Sequence, residues 1–202
     1  MFNSGSCAAF KLPEIEQYVL SELKPKRFFN LSRIKKKDQY LKQYRSEIRR
    51  LIPTLVKIEA PIHTEYAYKR INKFLHIRGS AALKEAYRDE IKKLTEKKIR
   101  SKGAFLHRTN NDNVLVRAPV EDNPEIRRQI QYIPFDEIYE AMLLVAKHSM
   151  GLSEKFLISE TARLLGFKKV GSKIMQSLSN VYQKAVESGK LVCNDGQVKY
   201  KD

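Results

Sequence analysis

Acidic residues are scarce in this chain: 23 Asp and Glu stand against 39 Lys and Arg, a net charge of +16. The deficit favours a polyanionic partner, nucleic acid first and an anionic membrane surface second, without saying which sequence is recognised. Cysteine occurs only as Cys7 and Cys193, with no CxxC spacing and no neighbouring His. A disulfide or a metal site is therefore unsupported, and two lone thiols suit a reduced, cytoplasmic chain. No stretch approaches the roughly 18 apolar residues that a membrane-spanning helix needs. The start, Met1-Phe2-Asn3-Ser4-Gly5-Ser6-Cys7, lacks a basic n-region and an apolar h-region, so no secretory signal is expected.

Signatures of chemistry are missing as well. There is no GxxxxGK[ST], which excludes nucleotide binding through a P-loop. His63, His76, His107 and His148 are scattered, with no HExxH and no nearby Cys. His63 reads as a turn residue whose ring bonds a backbone group, rather than as a ligand or base. The carboxylate pairs Glu121-Asp122 and Asp136-Glu137 fall in a linker and at a helix start, where negative charge favours the helix N-terminus. The expectation is a non-enzymatic chain with no cofactor and no metal.

What the sequence does hold is organised around Gly166-Phe167-Lys168-Lys169-Val170-Gly171-Ser172-Lys173-Ile174 and a helix running on to about Val186. A Gly stop, a basic turn, a second Gly and a Ser N-cap open that helix. Ile174, Leu178, Val181, Tyr182 and Ala185 recur at helical spacing on one face. Lys173, Gln176, Ser177, Asn180 and Lys184 lie opposite, and no acidic residue occurs between Lys173 and Val186. One greasy face and one face of donors is the pattern of the reading helix in a helix-turn-helix.

The same order of signals occurs twice. Apolar periodicity from Glu47 to Ile58, kinked or restarted at Pro53, predicts a first helix. A turn at Ala60-Pro61-Ile62-His63-Thr64 leads to a second helix carrying Tyr66, Ile71 and Phe74. Gly79-Ser80 opens a third, with Leu83, Tyr87, Ile91 and Leu94. Lys98 to His107 reads as strand, turn and strand, and Val114-Leu115-Val116-Arg117 as a further strand. From Pro134 the plan repeats, with helices beginning at Phe135, after the cap Ser153, and at Gly171-Ser172. A hairpin from Lys190 to Tyr200 follows, turning at Asp195-Gly196. Setting Gly79-Ser80 over Gly171-Ser172 aligns Lys98-Ile99 with Lys190-Leu191 without a gap.

The fold class expected is mainly α with small β-hairpins (α+β): tandem winged-helix repeats after a basic helical arm. The arm spans 1–45, the first repeat 46–118, a proline-bearing linker 119–134 and the second repeat 135–202. Within the arm, an apolar segment from Leu12 to Leu23 reads as a docking helix opened by Pro13, or as a leftover from a longer chain. Arg33, Lys35, Lys36 and Lys37 form its secondary basic patch, with Phe28, Phe29, Tyr40 and Tyr44 interleaved. Those aromatics either stack on bases along a phosphate backbone or pack on the next domain.

Four stretches resemble a known family. They are Val56–His63, Lys98–Leu106, Arg127–Pro134 and Leu164–Ile174, within about residues 50–200. The family is the domain of unknown function at the C-terminal end of large bacterial proteins related to superfamily I DNA and RNA helicases. Those proteins often also carry a nuclease-like domain. The resemblance implies a C-terminal piece of a helicase-like protein, or a stand-alone relative, any motor lying elsewhere.

From the residues themselves, the second repeat is expected to contact duplex DNA. Ser172, Lys173, Gln176, Ser177 and Asn180 would enter the major groove, Lys168, Lys169, Lys190 and Lys199 would hold phosphates, and Lys184 belongs to the same nucleic-acid-binding face. The first repeat, whose third helix mixes Lys84, Glu85, Arg88, Asp89, Lys92 and Lys93, reads as a solvated architectural copy with i,i+4 pairs. The alternatives are a protein-interaction module within such an assembly and a free-standing transcription regulator.

Overall fold

A computed structural model describes residues 15–24, 36–95, 97–110, 114–119 and 128–201. In chain order its elements begin with β1 (Glu16–Gln17), α1 (Lys37–Glu59), β2 (Ile62–His63), α2 (Thr64–Phe74) and α3 (Ala81–Thr95). Then come β3 (Arg100–Lys102), β4 (Phe105–His107), β5 (Arg117–Ala118) and one 3-10 turn, Ile130–Tyr132. The remainder is α4 (Phe135–Lys147), α5 (Glu154–Leu164), α6 (Ser172–Glu187), β6 (Leu191–Asn194) and β7 (Gln197–Tyr200). Helices dominate and the sheets are small, so the class is α+β. No helix among the described residues is long and apolar enough to cross a membrane.

The chain forms two compact units, and neither is a continuous segment. The N-terminal unit takes residues 19–113 and Tyr132–Pro134; the C-terminal unit takes 1–18, 114–131 and 135–202. This differs from the expected partition in three places. Residue 45 is no boundary, because α1 runs unbroken across it. Tyr44, Glu47, Ile48, Leu51, Ile52, Leu55 and Val56 bury one continuous stripe, and that packing outweighs the hydrogen bond Pro53 cannot donate. Residues 15–24 hold no helix: β1 is extended and pairs in parallel with β5, Glu16 opposite Arg117. The described end of the expected linker is packed, with Arg128, Ile130, Tyr132 and Ile133 all buried.

In the N-terminal unit the three helices close on an antiparallel sheet of order β2-β4-β3, with Ile62 opposite Leu106. Ile48, Leu51, Ile52, Leu55, Ile71 and Leu106 form its fully buried centre. Tyr44 joins them and donates its hydroxyl to Asn72 at 2.9 Å, so this aromatic packs inside its own unit and has no face for a base. Tyr40 is half-buried against the same core, while Phe28 and Phe29 lie outside the described residues.

The C-terminal unit follows the same element order. Leu152 bridges Val198 in antiparallel register, as Ile62 does Leu106. Asp195 and Gly196 take the positive φ values, 50° and 73°, that a two-residue hairpin of this twist demands. Glu137 enters this unit wholly buried on α4, in step with Ala141 and Val145. Arg128 reaches it at 2.6 and 2.8 Å and Arg117 at 2.8 Å, and both guanidinium groups lie over the ring of Tyr18. Burial pushes the Glu137 carboxyl up, but the two arginines outweigh it and hold it below the ordinary carboxylate range. The pair Asp136-Glu137 is therefore split: Asp136 stays exposed at the helix start, and Glu137 is the anchor of β5 and the segment before α4.

Candidate nucleic-acid interface

α5 and α6 meet across a turn that the sequence builds residue by residue. Ser153 accepts the Phe156 N–H at 3.3 Å and caps the start of α5. At its end, the Gly166 N–H bonds Arg163 O and the Phe167 N–H bonds Ala162 O, a Schellman closure with Gly166 at φ 87°. A Cβ at Gly166 would stand 2.2 Å from Pro119 Cγ, so both the backbone angle and the available space demand glycine. The chain leaves this stop in an exposed basic turn, Lys168-Lys169.

α6 then opens one residue earlier than expected. Gly171, not Ser172, is the N-cap, and no side chain caps the helix. Ser172 is its first residue, and no acid occupies the first turn. The start of α3 differs, since Ser80 Oγ accepts the Leu83 N–H at 3.3 Å. α6 thus presents its first N–H groups and the positive end of its dipole without a side chain of its own to satisfy them.

Leu178, Val181, Tyr182 and Ala185 are buried beneath α6, and Ile174 is half-buried. Helix geometry brings Lys173, Gln176, Ser177, Asn180 and Lys184 onto the other side. Lys168, Lys169, Ser172, Lys173, Gln176 and Asn180 are all exposed. Two members of the expected set are already engaged. Ser177 is half-buried and donates its hydroxyl to Lys173 O at 2.9 Å, a bond within the helix. Lys184 is opposed after all, by Glu187 one turn on at 3.6 Å, since the acid lies just beyond the stretch free of them.

The hairpin lysines are less closely grouped with this face. Lys190 is exposed at the entry to β6, its Nζ 5.9 Å from the centre of the Tyr200 ring. Lys199 is exposed on β7, and its stem passes over Gly151 in the α4–α5 connection. In the arm, Lys36 and Lys37 are exposed at the start of α1, whereas Arg33 and Lys35 lie outside the described residues. Glu121-Asp122 lies outside them too.

The charges of α3 are arranged differently from the sequence reading. Its acids do not pair with its own lysines at i,i+4; Arg45 on α1 takes Asp89 at 2.8 Å and reaches Glu90 at 3.3 Å. Glu90, fully buried, also receives Arg49 at 3.0 Å and Lys93 at 3.2 Å. Lys84 turns to Glu65 on α2, at 2.8 Å. The face read as solvated is exposed at Glu85, Arg88, Asp89, Lys92 and Lys93, but its ion pairs run to α1, to α2 and, from Lys93, one turn back to Glu90 rather than at i,i+4.

His63 caps α2: its Nδ1 accepts the Glu65 N–H at 3.1 Å, the backbone bond expected of it. Its ring also meets Phe105 edge-on and lies 4.9 Å from Tyr132, and burial lowers its pKa. Among the described residues no group of His, Cys, Asp and Glu is placed to hold a metal ion. Compared with family models, curated proteins and solved structures, the chain has no match.

Proposed function

We propose that the chain is a non-enzymatic, cytoplasmic DNA-binding module built of two winged-helix repeats, the C-terminal repeat supplying the duplex contact. The observation that carries this reading is α6: a helix seated on its core by four buried residues, uncapped at its start, with Lys173, Gln176 and Asn180 exposed on one acid-free face. In this reading α6 lies in the major groove, with Gln176 and Asn180 toward the bases and its N-terminal end against the phosphate backbone. Gln176 and Asn180 offer the paired donor and acceptor that match adenine, while Lys168, Lys169 and Lys173 hold phosphates. Ser172 and the free N–H groups of the first turn add neutral donors to the same backbone. Lys190 and Lys199 extend the contact along the hairpin. If the resemblance to the C-terminal domain of helicase-related proteins holds, such a module would serve beside a motor or nuclease of the same assembly.

A second reading is supported by the exposed Phe156 on α5 and Met175 on α6. Apolar side chains next to the lysine face suit a protein partner, and would make this an interaction module with incidental charge. Salt dependence separates the two. Release of counterions from about four to six phosphates gives a log–log slope of roughly −4 to −5 for a random duplex. A flat response would favour the protein partner, and a footprint at one defined sequence would favour a regulator.

A further inference from the structure

Asp89 and Glu90 of α3 are drawn toward α1 and Lys93, Glu85 is exposed, and Lys84, Arg88 and Lys92 form a row of cations at i, i+4 and i+8. All three line a cavity of about 350 Å³ between the start of α2, α3 and β3. Its apolar wall is the outer edge of three buried core residues, Tyr68, Tyr87 and Ile91, with Ser101 on the β3 side. Lys84 is neutralised by Glu65. Arg88 and Lys92, one turn apart, have no side-chain partner among the described residues. Two like charges at that spacing repel one another, which a shared anion would relieve.

We infer that this cleft binds one nucleotide, its base against the Tyr68–Tyr87–Ile91 wall and its phosphate on Arg88 and Lys92. The volume lies within the roughly 300–1,000 Å³ of small-molecule sites, which combine an apolar lining with a few placed charges. A guanidinium offers a phosphate two parallel bonds and a lysine adds a point charge, while an apolar lining favours a ring over bulk water. Glu65 at the same rim interrupts the cations, so the cleft is not a continuous phosphate track. It fits a single phosphate attached to a ring, as in a free nucleotide or in the phosphorylated end of a strand. The site lies in the N-terminal unit and uses none of the residues of the α6 face, so each proposal stands or falls on its own test.

The experiment titrates the whole chain with adenosine monophosphate, adenosine, inorganic phosphate, and a single-stranded tetranucleotide with and without a 5′ phosphate. Binding is followed by calorimetry and by amide shifts in two-dimensional NMR. Shifts centred on Lys84–Thr95 and Ser101 with adenosine monophosphate, weakened about tenfold or more in Arg88→Glu/Lys92→Glu, support a free-nucleotide site. If the free nucleotide is inert, tighter binding of the 5′-phosphorylated strand that vanishes in the same variant supports a strand-end site. Arg88→Lys, which keeps the charge and loses the fork, is expected to weaken either ligand by a smaller factor. Three results overturn the proposal: inorganic phosphate binding as well as the nucleotide, shifts elsewhere in the wild-type chain, or binding unchanged in the double variant.

Discussion

Arg128 holds Glu137 through two guanidinium nitrogens, at 2.6 and 2.8 Å, in a site where both residues are buried. Arg117 shares the same carboxylate, and Tyr18 lies against both guanidinium groups. Removing the one acid leaves two desolvated cations facing each other. Glu137→Gln is therefore expected to cost about 3–5 kcal/mol, the usual penalty for breaking a buried ion pair from one side. Urea denaturation measures it. Because the folded pKa lies below the ordinary 4.5, the stabilisation is complete above that pH and is lost as pH falls through the folded value. The wild-type chain should lose stability on acidification below about pH 4.5, and Glu137→Gln should show less of that slope.

Gly166 and Gly171 bracket the basic turn and should respond oppositely to substitution. Gly166→Ala meets both a φ of 87° and the Pro119 ring, and is expected to cost more than about 1 kcal/mol. Gly171 has open space around its Cβ and an extended backbone, φ −80° and ψ 172°. Gly171→Asp should supply the cap that α6 lacks, gaining a few tenths of a kcal/mol. The same carboxylate faces the phosphates of the proposed complex, so duplex binding should fall while the melting temperature rises. Stability and binding moving together would contradict the placement of that helix start.

His63 ties pH to α2. Burial depresses its folded pKa, so the neutral ring that caps the helix is favoured in the folded state. The sign follows: stability is complete above the unfolded value of about 6.5 and is lost as pH falls from there through the folded value. His63→Asn keeps a capping acceptor and removes the titration. Melting curves between pH 7.5 and 5.5, a window set about the ordinary His pKa, should show a decline in the wild type that the variant lacks.

Elements marked by local chemistry were readable from the sequence. The α6 core face followed from apolar spacing, the α5 stop from Gly166, and the β6–β7 hairpin from Asp195-Gly196. Contacts made across the chain were not. The two-residue pairing of Glu16 with Arg117 spans a hundred positions and leaves no period to detect. Glu137 looked like a charge at a helix start, although its register with Ala141 and Val145 was a usable sign of burial. Tyr44 fell in a run of lysines and arginines, and only the extension of α1 through it shows that it lies on the apolar stripe. The N-cap falls on Gly171 rather than Ser172, and serine and glycine both suit that place, so the sequence does not choose between them.

The central claim is that the acid-free face of α6 meets duplex phosphates. Its most direct test is fluorescence anisotropy of a labelled random duplex at low salt. Lys168→Glu/Lys169→Glu/Lys173→Glu is compared with the charge-matched Lys57→Glu/Lys97→Glu/Lys98→Glu, at exposed lysines outside both proposed sites, both checked for folding by circular dichroism. The account predicts that the first variant loses most of the binding and about 2.7 of the log–log salt slope, at about 0.9 per phosphate, while the second binds much as the wild type does. Equal losses in both variants, or wild-type binding by the first, would contradict it.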